Sequence, residues 1–387
     1  MPFNHRIDSI DFLRGLSIIA VILLHINLII PFDKSSIGQL FAPAVYKIVF
    51  WSGYYGVIIF FVISGFLITT SSIKRWGSLN NVKFDQFYLI RFSRIMPCLI
   101  GLLIVLSILD RIGIERFVID PEQTSLGKAI FSALTFNLNW LEAKTGYLPA
   151  AWNVLWSLSV EEMFYLFFPL ICRWVKNDLN FILLMLVFVI LGPLARTIFT
   201  NNDIWTDHSY LSCMDGIALG CLAGLTASKI TFSKLQLQIL QYCSITLTLL
   251  IVVFRKQVYD LGLTHLGLNV TILEIGMALL IIALYQKSMT TAPRKNWLTM
   301  PFQWFGRNSY EIYLTHMFFV IIFTSIFSAT NQSFEVVPLW YIGIIGVSGI
   351  FGQLVSSYYS TPINKALRLN FLNRNHQDET VSSRNLS

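Results

Sequence analysis

Asp11, Arg14 and His25 sit inside a single apolar run, IDFLRGLSIIAVILLHINLIIP, from Ile10 to Pro31. About twenty-two such residues cross a hydrocarbon core roughly 30 Å thick as one helix. An ionisable side chain there costs on the order of 3 kcal/mol, so it faces a bundle interior or a wet cavity and marks a functional path. At about 100° per residue the three fall within about 60° of one another, which makes one polar stripe with His25 near its far end. Such a stripe needs partners. Two other apolar segments supply carboxylates: AWNVLWSLSVEEMFYLFFP carries Glu161 and SYLSCMDGIALG carries Asp215. His25, Glu161 and Asp215 each lie roughly 9 Å below the same end of their spans, at about 1.5 Å per residue. Asn153, Ser157, Glu161 and Tyr165 follow one another at i, i+4, a second polar stripe. A histidine with two carboxylates in the outer third of a membrane would form an acid–base centre, because a carboxylate holds one ring tautomer and stabilises the imidazolium formed on proton abstraction. Simpler roles exist for each. His25 could pack or hydrogen-bond in the bundle, and Glu161 and Asp215 could each answer a nearby helix N-terminus.

Composition sets the scaffold that must position them. The 387-residue chain is 55% hydrophobic and 13% charged, with 31 Phe, and its mean hydropathy is +0.63. That is the profile of a multi-spanning membrane protein, not of a soluble domain. The expected fold is all-α, a polytopic bundle of about ten transmembrane helices. After the first span come Val45–Ile73, Ile95–Ile112, Val154–Trp174, Asn180–Ile198, Ser209–Ala227, Leu237–Phe254, Thr264–Tyr285, Gly306–Ser328 and Val337–Thr361. The connection Glu115–Ala151 is mixed, with a weakly amphipathic piece at Leu126–Trp140 suited to the interface. No internal repeat is visible. Residues 1–370 read as one membrane-embedded domain and 371–387 as a polar, disordered tail. With a cytoplasmic N-terminus, 19 of the 28 Lys and Arg fall on the inner side, Arg6, Arg294, Lys295, Arg374 and Arg384 among them, so both termini are expected to be cytoplasmic. The first span is too long and too charged for a cleaved signal peptide and reads as a retained helix.

The net charge of +7 does not indicate a nucleic-acid partner, because the basic residues sit in short loops between apolar spans. Cys98, Cys172, Cys213, Cys221 and Cys243 lack metal-ligand spacing and read as packing residues, so no metal site is expected. Between the second and third spans, IKRWGSLNNVKFDQFYLIRFSRIMPCL gathers Lys74, Arg75, Lys83, Arg91 and Arg94. For the first three the positive-inside rule is explanation enough. Arg91 and Arg94 are three apart on the helical approach to Pro97, on one face beside the bilayer, a good arrangement for a phosphate-bearing ligand. No G-x-x-x-x-G-K-[ST] is present, which excludes a Walker-type nucleotide site.

The ordered set IDFLRG with His25, FFVISGFLIT (Phe60–Thr69), RFSRIMP (Arg91–Pro97), WSLSVEEMFYLFFP (Trp156–Pro169), MDGIALG (Met214–Gly220) and SYEIYLTHMFF (Ser309–Phe319) resembles the acyltransferase-3 family. These are bacterial integral-membrane O-acyltransferases that acetylate lipopolysaccharide O-antigen and other surface glycans. The resemblance runs from the first span to the last. It is closest to members without a C-terminal SGNH hydrolase-like domain, since this chain ends after its tenth span.

What the resemblance implies attaches to single residues. His25 matches the first-span histidine regarded as essential for catalysis, and Asp11, Arg14 and Gly15 match the motif leading to it. Arg91 and Arg94 match the basic motif that handles acyl-CoA, although Phe92 and Ser93 stand where a more basic filling is common. Glu161 matches the acidic residue of W-S-L-x-x-E, whereas Glu162 falls at a variable position. Tyr310, Tyr313 and His316 fit Y-x-x-Y-L-x-H; His316 would lie about 15 Å from the cytoplasmic end, lining the donor path or packing the bundle. The implied activity is acyl transfer, most often acetyl, from cytoplasmic acyl-CoA to a hydroxyl of a cell-surface or lipid-linked glycan, in the bacterial cytoplasmic (inner) membrane and among its lipids. His25 would be the general base, backed by Glu161 or Asp215, or else the carrier of an acyl-histidine. Arg91, Arg94, Arg14, Lys74 and Arg75 would hold acyl-CoA (acetyl-CoA), a co-substrate and not a permanently bound cofactor. Asp11, Ser64, Ser157, Tyr165, Tyr313 and His316 would line or support the substrate path. The competing class is a secondary transporter of a small solute or acylated sugar, which would show two pseudo-repeated halves with matching broken helices; none is visible.

Overall fold

The computed structural model describes residues 7–198, 202–290 and 296–369. The tail 371–387 and Arg6, Arg294, Lys295, Arg374 and Arg384 lie outside the described residues. Among those described there are helices and no strand. Ten segments are long and apolar enough to cross a membrane. Their helices are α1 (Asp8–Ile29), α2 (Gly53–Trp76), α3 (Phe84–Arg111), α4 (Leu155–Trp174), α5 (Asp178–Ile198), α6 (Tyr210–Lys229), α7 (Lys234–Val253), α8 (Leu268–Thr290), α9 (Ser309–Ala329) and α10 (Val337–Val355). A π-helical turn, Ser356–Ser360, carries α10 onward, and the spanning segment continues to Leu369.

The expected second span divides. Pro43 starts a short helix, Pro43–Phe50, and the chain breaks at Trp51–Ser52 before α2. Gly53 then lies so close to α1 that a Cβ there would sit 2.5 Å from Leu24 Cβ. The third span starts eleven residues earlier than the apolar run, at Phe84. Arg91 and Arg94 lower hydropathy without breaking a helix, so they lie inside α3. The ninth span starts later than expected, because Met300–Arg307 forms its own helix and Asn308 turns the chain into α9. The interfacial piece becomes two helices, Leu126–Leu134 and Leu138–Thr145, hinged at Phe136 with φ 56°.

Two close approaches organise the bundle. Gly65 of α2 and Gly220 of α6 each face a backbone carbonyl of the other helix, Ile217 and Val62 respectively, and a Cβ at either would overlap it. Small residues of this kind let membrane helices meet backbone to backbone. In the same way Gly15 of α1 meets the Phe302 carbonyl and Gly306 meets that of Asp11. This contact seats the Met300–Arg307 helix on α1 and brings the Arg307 guanidinium to 3.2 Å from Asp8 and 3.5 Å from Asp11. By contrast α7 leaves Leu235, Ile239, Tyr242, Ile245 and Leu249 exposed, an apolar face at helical spacing that suits lipid.

Candidate functional site

His25 lies four residues before the end of α1. Its Nδ1 is 2.9 Å from Nε2 of His316 on α9, with the rings 5.1 Å apart and inclined by 23°. His316 is fully buried, and its Nδ1 is 2.7 Å from the Tyr313 carbonyl oxygen. With both rings neutral, these contacts fix both tautomers. A carbonyl can only accept, so His316 Nδ1 carries the hydrogen; its neutral ring then offers a lone pair at Nε2, and His25 must donate from Nδ1. What remains is an unprotonated Nε2 on His25, the form a general base requires.

No hydrogen bond or ion pair joins His25 to Glu161 or Asp215 among the described residues. The backing group expected to be a carboxylate is the His316 imidazole. Asp215 lies elsewhere, fully buried and held by both terminal nitrogens of Arg196 on α5, with Nη2 to Oδ2 at 2.5 Å and Nη1 to Oδ1 at 3.2 Å. The Thr271 hydroxyl of α8 donates to it at 2.7 Å. A carboxylate so compensated binds three helices together; it is not free to serve His25. Arg196 carried no weight in the sequence, yet it ends α5 where Asp215 begins α6, and consecutive antiparallel spans meet at such ends.

Glu161 lines a cavity of about 540 Å³ together with Asp11, Arg14, Ser64, Arg91, Arg94, Ser157, Tyr165 and Tyr313. Its Oε1 accepts from the Ser64 hydroxyl at 2.6 Å and from the Tyr165 hydroxyl at 2.5 Å, and these two hydroxyls also touch each other. The Arg91 guanidinium stacks 4.0 Å from the centroid of the Tyr165 ring. Glu161 therefore orients Tyr165, and through its ring Arg91. Deeper in, the Tyr313 and Ser157 hydroxyls are 2.7 Å apart, and Tyr313 also donates to the Val154 carbonyl at 2.9 Å.

The cavity is lined from several helices. At one end it is lined by Arg307, Ser309, Asn364 and Arg368. At the other it reaches Ser157 and Val57, which at 1.5 Å per residue are about 3 and 6 Å below the starts of α4 and α2. His25 is about 6 Å below the end of α1; neither it nor His316 is among the residues that line the cavity, and the link to it is Tyr313, which lines the cavity and whose carbonyl oxygen is 2.7 Å from His316 Nδ1.

Lys74 and Arg75, expected to join the basic site, do not line the cavity. Lys74 lies 5.2 Å over the Tyr285 ring and Arg75 packs on Trp76, which satisfies their long side chains at the helix end. The cations that take their place are Arg307 and Arg368. On sequence alone both are simply among the 19 inner-side cations. Glu162 and Glu311 also reach the lining, so four carboxylates, with Asp11 and Glu161, stand among five arginines.

A family model described as an acyltransferase domain matches residues 7–357. The chain is 24% identical to the peptidoglycan O-acetyltransferase OatA of Listeria monocytogenes, over 94% of this chain and 57% of that protein. It is 25% identical to the Bacillus subtilis protein named "Putative peptidoglycan O-acetyltransferase YrhL", over 93% of this chain and 55% of the relative. A Staphylococcus aureus (strain COL) protein named as a putative O-acetyltransferase is 24% identical, with 93% and 57% covered. The chain thus spans a little over half the length of these relatives. No solved structure matches.

Proposed function

This chain belongs to the acyltransferase-3 family, and on that premise we propose that it transfers an acyl group, acetyl first, from acyl-CoA to a hydroxyl of a cell-surface or lipid-linked glycan. The observation that carries this reading is the hydrogen-bonded chain that runs from Tyr313, in the wall of an arginine-lined cavity, through His316 to His25. The Lys and Arg distribution favours placing the arginine end in the cytoplasm of a bacterial inner membrane. Acyl-CoA would enter there with its phosphates among Arg14, Arg91 and Arg94.

Lengths agree with that path. Arg14 and His25 are eleven residues apart on α1, about 16 Å. The arm linking the donor's pyrophosphate to its sulfur is a chain of about thirteen atoms, roughly 15 Å at the rise of extended peptide. The thioester carbonyl would therefore arrive near His25, while the acceptor hydroxyl approaches from the opposite face. His25 Nε2 takes the hydroxyl proton as the oxygen attacks the carbonyl carbon; the carbon–sulfur bond then breaks, and the departing thiolate receives that proton from the imidazolium. His316 accepts from His25 Nδ1 throughout and holds the ring in place. General-base help of this kind is worth about 10²–10⁴-fold.

Peptidoglycan, named for OatA, is the first acceptor to try, beside O-antigen and exopolysaccharide. The test uses labelled acetyl-CoA, membranes holding the full chain, and each glycan. We expect His25→Ala to lower transfer about 10²–10⁴-fold at equal protein level, with donor binding intact. Unchanged transfer in that variant would reject the base. Solute uptake without acylation would favour a transporter instead.

A further inference from the structure

Arg368 is eleven residues beyond the last one the family model matches, yet it lines the cavity with Ser356, Ser360, Thr361 and Asn364. Four of these five positions recur every fourth residue, so the last helix presents one polar face to the cavity from its π-helical turn onward. Arg368 is anchored to α3. Its Nε donates to the Ser93 hydroxyl at 3.1 Å and its Nη2 to the Ile90 carbonyl at 3.2 Å. Ser93 stands between Arg91 and Arg94 in sequence and carries no charge, so Arg368 reaches in from another helix and adds a cation to this stretch of α3. The charged groups acting on Arg368 are Arg75, Arg94 and Arg91, all cations. No carboxylate pairs with it among the described residues. Like charges gathered this closely repel unless an anion joins them.

One turn before Arg368, the Asn364 side-chain oxygen is buried without a partner. A guanidinium amid other cations, with a vacant amide acceptor beside it, has the chemistry to hold a phosphorylated ribose: phosphate on the cation, hydroxyl or ring amine on the amide. The position fits the far end of the donor. Arg14 lies inward on α1, whereas Arg368 comes at the end of the last spanning segment.

We infer that Arg368 and Asn364 form a subsite for the nucleotide end of the acyl donor, with Arg368 binding the ribose 3′-phosphate and Arg14, Arg91 and Arg94 left to the pyrophosphate. This rests on the acyl-CoA reading above. The experiment compares acetyl-CoA with 3′-dephospho-acetyl-CoA as donor for the purified full chain. The wild type favours acetyl-CoA. Arg368→Ala raises KM for acetyl-CoA about tenfold with kcat unchanged and leaves KM for the dephospho donor where it was. Arg368→Gln, which keeps a donor for Ser93 without the charge, does the same, and Lys365→Ala, off the polar face, changes neither. An equal rise for both donors, no rise in either variant, or a wild type that treats the donors alike overturns the subsite. A wild type that transfers from neither donor overturns the acyltransferase reading and the subsite with it.

Discussion

Glu161 and Asp215 lie at nearly the same distance from the starts of their helices, six residues into α4 and five into α6, and the protein treats them in opposite ways. Asp215 is enclosed, ion-paired with both terminal nitrogens of Arg196 and capped by Thr271. Glu161 has no ion pair among the described residues, takes two hydroxyl hydrogen bonds on one oxygen, and faces a cavity. Depth along the membrane normal is thus a poor guide to what a carboxylate does. What neutralises it decides. A carboxylate matched by a buried arginine holds helices together; one left with hydroxyls in a wet cavity can act on whatever enters.

The sharpest way to break this contrast is to remove Asp215. Asp215→Ala leaves Arg196 buried and unpaired, which costs about 3–5 kcal/mol. Thermal unfolding in detergent should show a large drop in midpoint, with transfer per folded molecule unchanged. Replacing both partners, Arg196→Met with Asp215→Leu, should restore most of the stability, because no charge is then stranded. Near-normal stability in Asp215→Ala combined with lost transfer would return Asp215 to the chemistry.

A smaller effect is expected at His316. Truncation to Ala removes the acceptor for His25 Nδ1 and frees the imidazole to change tautomer, which should lower kcat about 10–100-fold and leave donor KM within twofold. Single-turnover rates with preloaded donor would isolate the step. A loss confined to donor KM would mean that His316 lines the path and does not orient the base.

Much of the scaffold was legible because hydropathy over twenty residues is a strong signal in a membrane. The first span, the stripe from Ser157 to Tyr165, and Arg91 with Arg94 all stand where their spacing placed them. Long-range partners were not legible. His25 and His316 are 291 residues apart, and no local pattern says which of several buried polar groups an imidazole will meet. Arg196 was readable in principle from antiparallel order, since the end of one span faces the start of the next. Ser356, Ser360, Asn364 and Arg368 form a plain i, i+4 series, but apolarity runs out near Thr361, and a span defined by apolarity stops before the residues that face a cavity. Lys74 and Arg75 show the converse, charges to which the resemblance gave a donor-binding role and whose side chains instead cover the rings of Tyr285 and Trp76.

Glu161 gives the finest test of the comparison and the smallest effect. If it served as the acid–base partner of the catalytic imidazole, Glu161→Gln would be nearly as damaging as His25→Ala, because the amide cannot carry the compensating charge. Its contacts indicate a positioning role, since Ser64 and Tyr165 donate to one oxygen and Tyr165 in turn presents its ring to Arg91. A glutamine oxygen still accepts both hydroxyls, so kcat/KM for Glu161→Gln should stay within about threefold of wild type. Glu161→Ala, which releases Tyr165 and with it the Arg91 stack, should fall about tenfold, chiefly through donor KM, in line with one lost charge-assisted hydrogen bond and one lost cation–π contact. A Gln variant as inactive as the His25 variant would mean that the carboxylate charge itself takes part in proton transfer.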